Sequence, residues 1–331
     1  MMKGLILAGG FATRLGAIGE VFPKAMLMVE GNTLVGHLLS KLERLGIETV
    51  ITTNRRFAEF FRSYPHVLVE EATREEEKLG AVTAIANAIR KEEIKEDLLV
   101  VCADNYFSSD LRGFVSSYQG DPTVGVYYAG GDPGMRLQEM ATVKFCGSES
   151  YPPPTQSFCL EDFKEKVDPP LSPYVSTGLY LFPPKIFPIL LEYSAEKKRD
   201  APGFFIQHLM ERGITVRGYL LGGEWFDASY QNYLLMFKDS KLVRRDEDLI
   251  QFRRESGGMV MLLSFLRKGG MYYVSKGERL LFFIEGGVEM KMGMKRMRVR
   301  GREVVEIPPG EEVSLLNPSH PYSIFLSLKW E

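Results

Sequence analysis

The sequence predicts an α/β fold: a mostly parallel, twisted sheet with helices on both faces, followed by a smaller all-β part. Three observations carry this expectation. The chain has 331 residues, and at roughly 100–200 residues per domain two domains are expected. Its first half alternates apolar strand runs with helical spacings, an order that builds parallel sheets through right-handed crossovers. Near residue 245 the pattern changes to short strands at roughly 8–12-residue spacing, as in a small barrel or sandwich. The expected domains are therefore residues 1–245 and 246–331.

The first strand is Gly4-Leu5-Ile6-Leu7-Ala8, an apolar run ended by glycines. Asn32 and Thr33 offer an N-cap to a helix with Leu34, Leu38, Leu39, Leu42 and Leu45 at helical spacing, and Gly46 closes it. Strand Glu48–Thr52, strand Val67–Val69, helix Ala81–Ile89 and strand Leu98–Val101 follow. The middle predicts strands at Thr123–Tyr128, Thr142–Phe145, Tyr174–Phe182 and Thr215–Leu221, and a loop at Pro152-Pro153-Pro154. Helices are expected at Ile186–Tyr193, Phe204–Arg212 and Tyr230–Phe237, and charge-rich Lys241–Arg254 reads as a connecting helix. Strands then recur at Met271–Val274, Leu280–Ile284, Val288–Met292, Met297–Arg300, Val304–Ile307 and Ser323–Leu328.

Composition removes several classes of function. A hydrophobic fraction of 45% excludes a disordered chain, and a net charge of -2 gives no basic surplus for nucleic acid. No apolar run reaches the roughly 18–20 residues of a membrane span. The apolar part of the N-terminus is too short for a signal peptide, which predicts a cytoplasmic protein. Cys102, Cys146 and Cys159 lack CxxC spacing and read as reduced thiols. His37, His66, His208 and His320 are scattered singly, which argues against a histidine metal cluster.

The chemistry sits in six segments. In Leu7-Ala8-Gly9-Gly10-Phe11-Ala12-Thr13-Arg14-Leu15, glycines follow a strand and let backbone N–H groups approach phosphate, while Arg14 and Lys24 add cations. The string fits neither GxGxxG nor GxxxxGK[ST]. It resembles the signature LAGGxGTRLxPxTxxxPKPM of the sugar-1-phosphate nucleotidyltransferases: Gly9, Gly10, Thr13, Arg14, Leu15, Pro23 and Lys24 match, whereas Ala12, Ala17 and Ala25 depart. Gly80 in Glu77–Ile85 matches a family glycine that lies against base and ribose. Ala103-Asp104-Asn105 stands where the family has GDN, at the carboxyl end of a strand, where open sheets bind ligands.

Three further segments keep the family's order. Phe163-Lys164-Glu165-Lys166 resembles FxEKP, with Val167 in place of proline. Ser176-Thr177-Gly178 resembles NTG, with serine for asparagine, and Trp225-Phe226-Asp227 resembles WxD, with Ser229 where glycine is usual. Taken singly, each has a bland alternative: a turn, a surface ion pair or a helix cap. Together they span roughly residues 3–238.

The resemblance implies a Rossmann-like nucleotidyltransferase domain that joins a nucleoside triphosphate to a hexose 1-phosphate and releases pyrophosphate. It implies nucleotide contacts from Leu7, Ala8, Gly9, Gly10, Thr13, Gly80 and Asn105. Sugar-phosphate contacts come from Glu165, Lys166, Thr177 and Gly178. Catalytic roles fall to Arg14, Lys24, Asp104, Lys166 and Asp227, with Mg²⁺ held by Asp104 and Asp227. Family frequency puts glucose 1-phosphate with dTTP or UTP first. Mannose-1-phosphate guanylyl transfer is the alternative, and a non-catalytic nucleotide-sugar-binding module is the alternative from another class. A glycosyltransferase usually shows DxD, which Asp104-Asn105-Tyr106 is not.

Pro308–Asn317 resembles a second cupin motif with Val313 at the metal-ligand histidine, so the expected C-terminal cupin-like barrel is metal-free. Its apolar residues suit a homo-oligomer interface.

Overall fold

The computed structural model describes residues 2–130, 136–147, 155–196, 201–228, 234 and 236–330. The first part of the chain runs β1 (Met2–Leu7), α1 (Ala17–Val21), β2 (Met28–Val29), β3 (Asn32–Thr33), α2 (Leu34–Arg44), β4 (Glu48–Asn54), β5 (Val67–Glu70), α3 (Ala81–Lys91) and β6 (Asp97–Cys102). It continues through β7 (Asn105–Phe107), α4 (Arg112–Ser116), β8 (Thr123–Tyr128), β9 (Ala141–Phe145), β10 (Ser157–Glu165) and β11 (Tyr174–Phe182). Then come α5 (Phe187–Ala195), α6 (Pro202–Glu211), β12 (Arg217–Leu220) and β13 (Trp225–Asp227). Contacts divide the chain into two units. Unit 1 is Met1–Phe11 with His37–Tyr230, and unit 2 is Ala12–Gly36 with Gln231–Glu331.

Unit 1 is built on a nine-stranded sheet in the order β5-β4-β1-β6-β11-β8-β12-β10-β9. The strands β5, β4, β1 and β6 pair in parallel, as the βαβ reading requires, and so do β8 and β12. The remaining pairings, β6–β11, β11–β8, β12–β10, β10–β9 and β11–β9, are antiparallel. The expectation of a mostly parallel sheet is therefore corrected to a mixed sheet with an antiparallel majority. Parallel neighbours need a crossover, usually helical; among the described residues β9, β10 and β11 follow one another without an intervening α-helix. Helices α3, α5 and α6 bury Ile85, Ile89, Leu190 and Phe205 with Leu98 and Phe182 of the sheet in one core. Each such side chain is worth about 1.5–3 kcal/mol.

A disulfide joins Cys146 and Cys159, which the sequence reading took as reduced thiols. The β9–β10 register explains it: Cys146 N–H donates to the Cys159 carbonyl at 3.1 Å, and the two Cα atoms lie 5.5 Å apart. Cys102 is free.

Unit 2 contains β14 (Lys241–Arg245), β15 (Leu249–Ser256), β16 (Met259–Arg267), β17 (Met271–Tyr273), β18 (Glu278–Glu285), β19 (Gly287–Met292), β20 (Lys295–Arg300), β21 (Val304–Glu306), β22 (Val313–Leu316) and β23 (Tyr322–Trp330). They form two antiparallel sheets, β14-β15-β16-β23-β18-β21 and β17-β22-β19-β20. Leu249, Leu266, Leu281, Phe283, Leu315 and Phe325 fill their core. The connecting helix expected over Lys241–Arg254 is instead the β14–β15 hairpin. Asp246 Oδ1 accepts from the N–H groups of Asp248 and Leu249, an Asx turn that reverses the chain. The helix expected at Tyr230–Phe237 falls largely outside the described residues, as does Pro152-Pro153-Pro154.

The segment Ala12–Gly36 packs within unit 2. Phe22 meets Phe265 and Tyr322 at ring distances of 4.6 and 5.0 Å. Glu30 and Gly31 both take positive φ, which suits the tight β2–β3 turn. The expected cap forms: the Thr33 hydroxyl accepts from Gly36 N–H at 3.0 Å. Among the described residues no helix is long and apolar enough to cross a membrane.

Candidate active site

Three parallel strands end together in unit 1 and fix the glycine loop. Beyond β1, Ala8 N–H donates to the Thr52 carbonyl of β4, and the Leu7 carbonyl accepts from Ala103 N–H just past β6, both at 2.9 Å. Buried Asn54 ends β4; its amide donates to the Gly9 carbonyl at 3.0 Å, and its Oδ1 accepts from Phe57 N–H. The loop is thus tethered on both sides before it leaves the sheet. A Cβ on Gly10 would meet nothing within 4 Å. Packing does not demand glycine there; the bare backbone is left open for close approach by a phosphate.

Asp104 and Asp227 are brought together by β7 and β13. Their antiparallel register sets Asp227 opposite Asn105, next to Asp104, and Ala228 N–H donates to the Asp104 carbonyl at 2.8 Å. The Asn105 amide donates to Asp104 Oδ1 at 2.9 Å and to the Cys102 carbonyl at 3.3 Å, while Asn105 Oδ1 accepts from the Trp225 indole at 2.9 Å. Asn105 therefore orients the Asp104 carboxylate and ties it to β13.

The third carboxylate is Glu165, at the end of β10. Burial pushes the Cys102 thiol well up, and the charges of Asp104, Asp227 and Glu165 push it further. Burial also raises the Glu165 carboxyl, against the opposing pull of Lys166, whose Nζ lies 3.5 Å from Oε1. Lys166 takes a left-handed φ of 54°. Gly178 follows with φ 71°, and a Cβ there would press on Asn105 Nδ2 and Cys102, each at 3.0 Å. Thr177 is fully buried and its hydroxyl donates to the Gly125 carbonyl, so what it offers a ligand is backbone.

Gly80 caps α3 with φ 88°. A cavity of about 430 Å³ opens between β4, β5 and α3. Its lining includes Thr52 and Glu70, which the sequence reading missed along with Asn54. Glu70 ends an apolar strand just as Asp104 follows one, so the same rule had a signal to offer.

Thr13, Arg14 and Lys24 belong to unit 2. Thr13 and Arg14 sit exposed on a single 3-10 turn that follows Ala12 at φ 53°, a conformation that glycine adopts without strain. Half-buried Lys24 opens a second such turn, after Pro23. The sheet of unit 1 therefore carries Leu7, Ala8, Gly9, Gly10, Asp104, Asn105, Glu165, Lys166, Thr177, Gly178 and Asp227, whereas Thr13, Arg14 and Lys24 lie in unit 2.

Two aspartates supply only oxygen donors, and among the described residues no group of three or more His, Cys, Asp or Glu stands ready to hold a metal. This donor set fits Mg²⁺, which takes one or two carboxylates and completes its shell with water and substrate phosphates.

The chain is similar to known proteins. Residues 3–234 match the nucleotidyl transferase family. Over 244 residues the chain is 25% identical to the bifunctional protein GlmU of Methanocaldococcus jannaschii, covering 71% of this chain and 54% of that protein. It is 27% identical over 191 residues to the UTP–glucose-1-phosphate uridylyltransferase AglF of Haloferax volcanii, covering 56% of this chain and 74% of that one. The chain thus spans about half the length of the first of these relatives. A solved UDP-glucose pyrophosphorylase complexed with UDP-glucose shares the fold at a TM-score of 0.55 and 18% identity, over 72% of this chain and 97% of that one.

Proposed function

The chain belongs to the nucleotidyl transferase family, a family of enzymes, and from that membership we propose that it is a sugar-1-phosphate nucleotidyltransferase. A phosphate oxygen of a hexose 1-phosphate attacks the α-phosphorus of a nucleoside triphosphate. The bond from that phosphorus to the bridging oxygen breaks, and pyrophosphate leaves with the electron pair. The observation that carries this reading is the meeting of Asp104 and Asp227 across β7 and β13, beside the tethered Gly9–Gly10 loop.

Such a transfer needs positioning and charge stabilisation rather than a covalent nucleophile. The backbone of Leu7 to Gly10 receives the triphosphate, with Thr13 and Gly80 also on the nucleotide. Arg14 and Lys24 neutralise its phosphates. Lys166 orients the attacking phosphate, and Glu165, with the backbone of Thr177 and Gly178, holds the sugar. Asn105 acts by fixing Asp104. Mg²⁺, held by Asp104, Asp227 and substrate phosphates, supplies charge neutralisation and alignment.

Family frequency favours glucose 1-phosphate with dTTP or UTP, and AglF carries a uridylyltransferase name. Mannose-1-phosphate guanylyl transfer is the second reading. On the same reading residues 1–245 are catalytic. Residues 246–331 form a cupin-like accessory part through which copies of a cytoplasmic protein associate.

The test is pyrophosphate release by the full chain. It pairs each of dTTP, UTP, GTP, CTP and ATP with glucose, mannose and N-acetylglucosamine 1-phosphates, with and without Mg²⁺, beside Asp104→Ala. Release that needs both substrates and Mg²⁺, and disappears in the variant, is expected. Nucleotide binding by folded protein without release from any pair would replace the enzyme with a binding module.

A further inference from the structure

The segment Gly287–Arg302 holds six lysines and arginines against one glutamate, a local surplus in a chain whose net charge is -2. It forms the β19–β20 hairpin, and β20 is an edge of the sheet β17-β22-β19-β20. Successive side chains of a strand point to opposite faces. Val288, Met290 and Val299 are buried in the core of unit 2, with Tyr272, Val313 and Leu315 from the neighbouring strands. Arg296, Arg298 and Arg300 therefore stand on the outer face.

Register extends that face across the four strands. Arg296 lies opposite Lys291, Lys291 opposite Ser314, and Ser314 opposite Tyr273. The next row runs Arg298, Glu289, Leu316 and Met271. One side of the face is thus cationic and the other apolar, about 14 Å apart at ordinary strand spacing. Among the described residues the most exposed large hydrophobic side chains are Met294, in the β19–β20 turn, at 100% and Tyr273 at 71%. The Arg298 side chain keeps 68% of its exposure although Glu289 lies 3.7 Å away. The other carboxylates close by are Glu303, which accepts from Arg300 N–H, and Glu311, beside Gly293 in the turn. The six cations outnumber them.

Charge on an edge strand by itself keeps copies of a protein from pairing. It does not account for Tyr273, Met271 and Met294 standing in water on the same sheet. A partner that accepts both halves must be broad, negatively charged and able to take apolar groups. A single-stranded nucleic acid would meet the arginines and stack on Tyr273, but it offers nothing to the methionines. A second copy presenting the same face brings one carboxylate, Glu289, and the same row of cations. An anionic bilayer meets every requirement: its headgroups attract Lys and Arg, and its interfacial region takes Tyr and Met.

We propose that the outer face of the sheet β17-β22-β19-β20 docks on an anionic lipid bilayer, with Arg296, Arg298 and Arg300 on the headgroups and Tyr273, Met271 and Met294 in the interface.

The experiment is co-sedimentation of the full chain with vesicles, read without nucleotide, so that a failure here leaves nucleotidyl transfer untouched. Binding is expected to phosphatidylcholine vesicles carrying roughly a third of phosphatidylglycerol, at least tenfold above binding to pure phosphatidylcholine. It should be lost at about 1 M salt, where the screening length falls to about 3 Å. The triple variant Arg296→Gln/Arg298→Gln/Arg300→Gln should lower the partition about a hundredfold, at about fivefold for each cation. A charge-matched control on unit 1, Arg62→Gln/Lys95→Gln/Arg112→Gln, should bind as the parent does. If the first triple variant does not fold, Met271→Ser/Tyr273→Ser decides: at unchanged charge it should lower the partition about tenfold, and an unchanged partition would overturn the proposal. So would no binding to the anionic vesicles, equal binding to neutral ones, or an equal loss in the control. Capture of a labelled single-stranded oligonucleotide by the three arginines, with vesicles left unbound, would make the partner a nucleic acid and end the membrane assignment.

Discussion

Glu165 and Glu278 are both buried carboxylates at strand ends, and the two units treat them in opposite ways. In unit 2, Glu278 is 1% exposed, and its Oε1 accepts from the Tyr272 hydroxyl at 2.7 Å and from Ser275 N–H at 2.9 Å. Gln251 extends the network from Tyr272 to Ser264. In unit 1, the Glu165 side chain is 9% exposed and faces Lys166, whose Nζ lies 3.5 Å from Oε1. Glu278 is anchored through Oε1 by its own fold, while its Oε2 is buried without a hydrogen bond. Glu165 is kept where burial opposes its charge, which a protein retains for chemistry rather than stability. A buried acid is therefore informative only through its partners.

Removing a carboxylate at the ligand site should have the largest effect. Asp104→Ala and Asp227→Ala are each expected to lower kcat/KM for pyrophosphate release by about a thousandfold, with little change in melting temperature. A large loss of stability instead would mean that these aspartates serve the fold as Glu278 does. Gly178→Ala should come next. Its φ of 71° strains alanine, and the new Cβ presses on the amide that holds Asp104. A shift of this kind can cost about a hundredfold in kcat, read by steady-state kinetics.

Glu278→Ala sharpens the other half of the comparison. It strands the Tyr272 hydroxyl and opens a cavity, for a cost of about 2–4 kcal/mol in denaturant titrations, while turnover per folded molecule should hold. The smallest effect is expected for Glu165→Gln on stability. The folded-state pKa of Glu165 is raised by burial, so above the unfolded carboxylate range the folded state holds more proton than the unfolded one. Stability falls as pH rises through that window. Glu165→Gln should therefore melt slightly higher than the parent at pH 7, by about 1–3 °C, and the gain should vanish as pH drops below the ordinary glutamate value. A gain that grew toward acid would reverse the sign and place Glu165 among the stabilising pairs.

Much of unit 1 was legible because its strands are apolar runs with clear ends: Thr123–Tyr128 and Tyr174–Phe182 have the predicted bounds. Strand direction was not, because it depends on where β11 inserts in the sheet, and residue spacing carries no record of that. The Lys241–Arg254 stretch misled through its charge. Density of Lys, Arg, Asp and Glu suits a solvated helix face and an exposed edge hairpin equally, and the decision falls to the single Asx turn at Asp246. At the site, the motif residues were readable from their order along the chain. Glu70 was not singled out: it ends an apolar strand, but Glu71, Glu75, Glu76 and Glu77 follow it closely and blur that signal.

The segment Ala12–Gly36 has a bearing on how this chain could be divided or inherited. It groups with Gln231–Glu331 yet lies inside the run of residues that matches the family. A chain shortened after residue 240 would strip Phe22 of both aromatic neighbours, Phe265 and Tyr322. The β sheets therefore do not behave as a cassette to be added or removed at one junction. Gene fusions or truncations that respect only the linear order would leave the loop bearing Arg14 and Lys24 without the surface on which it is built.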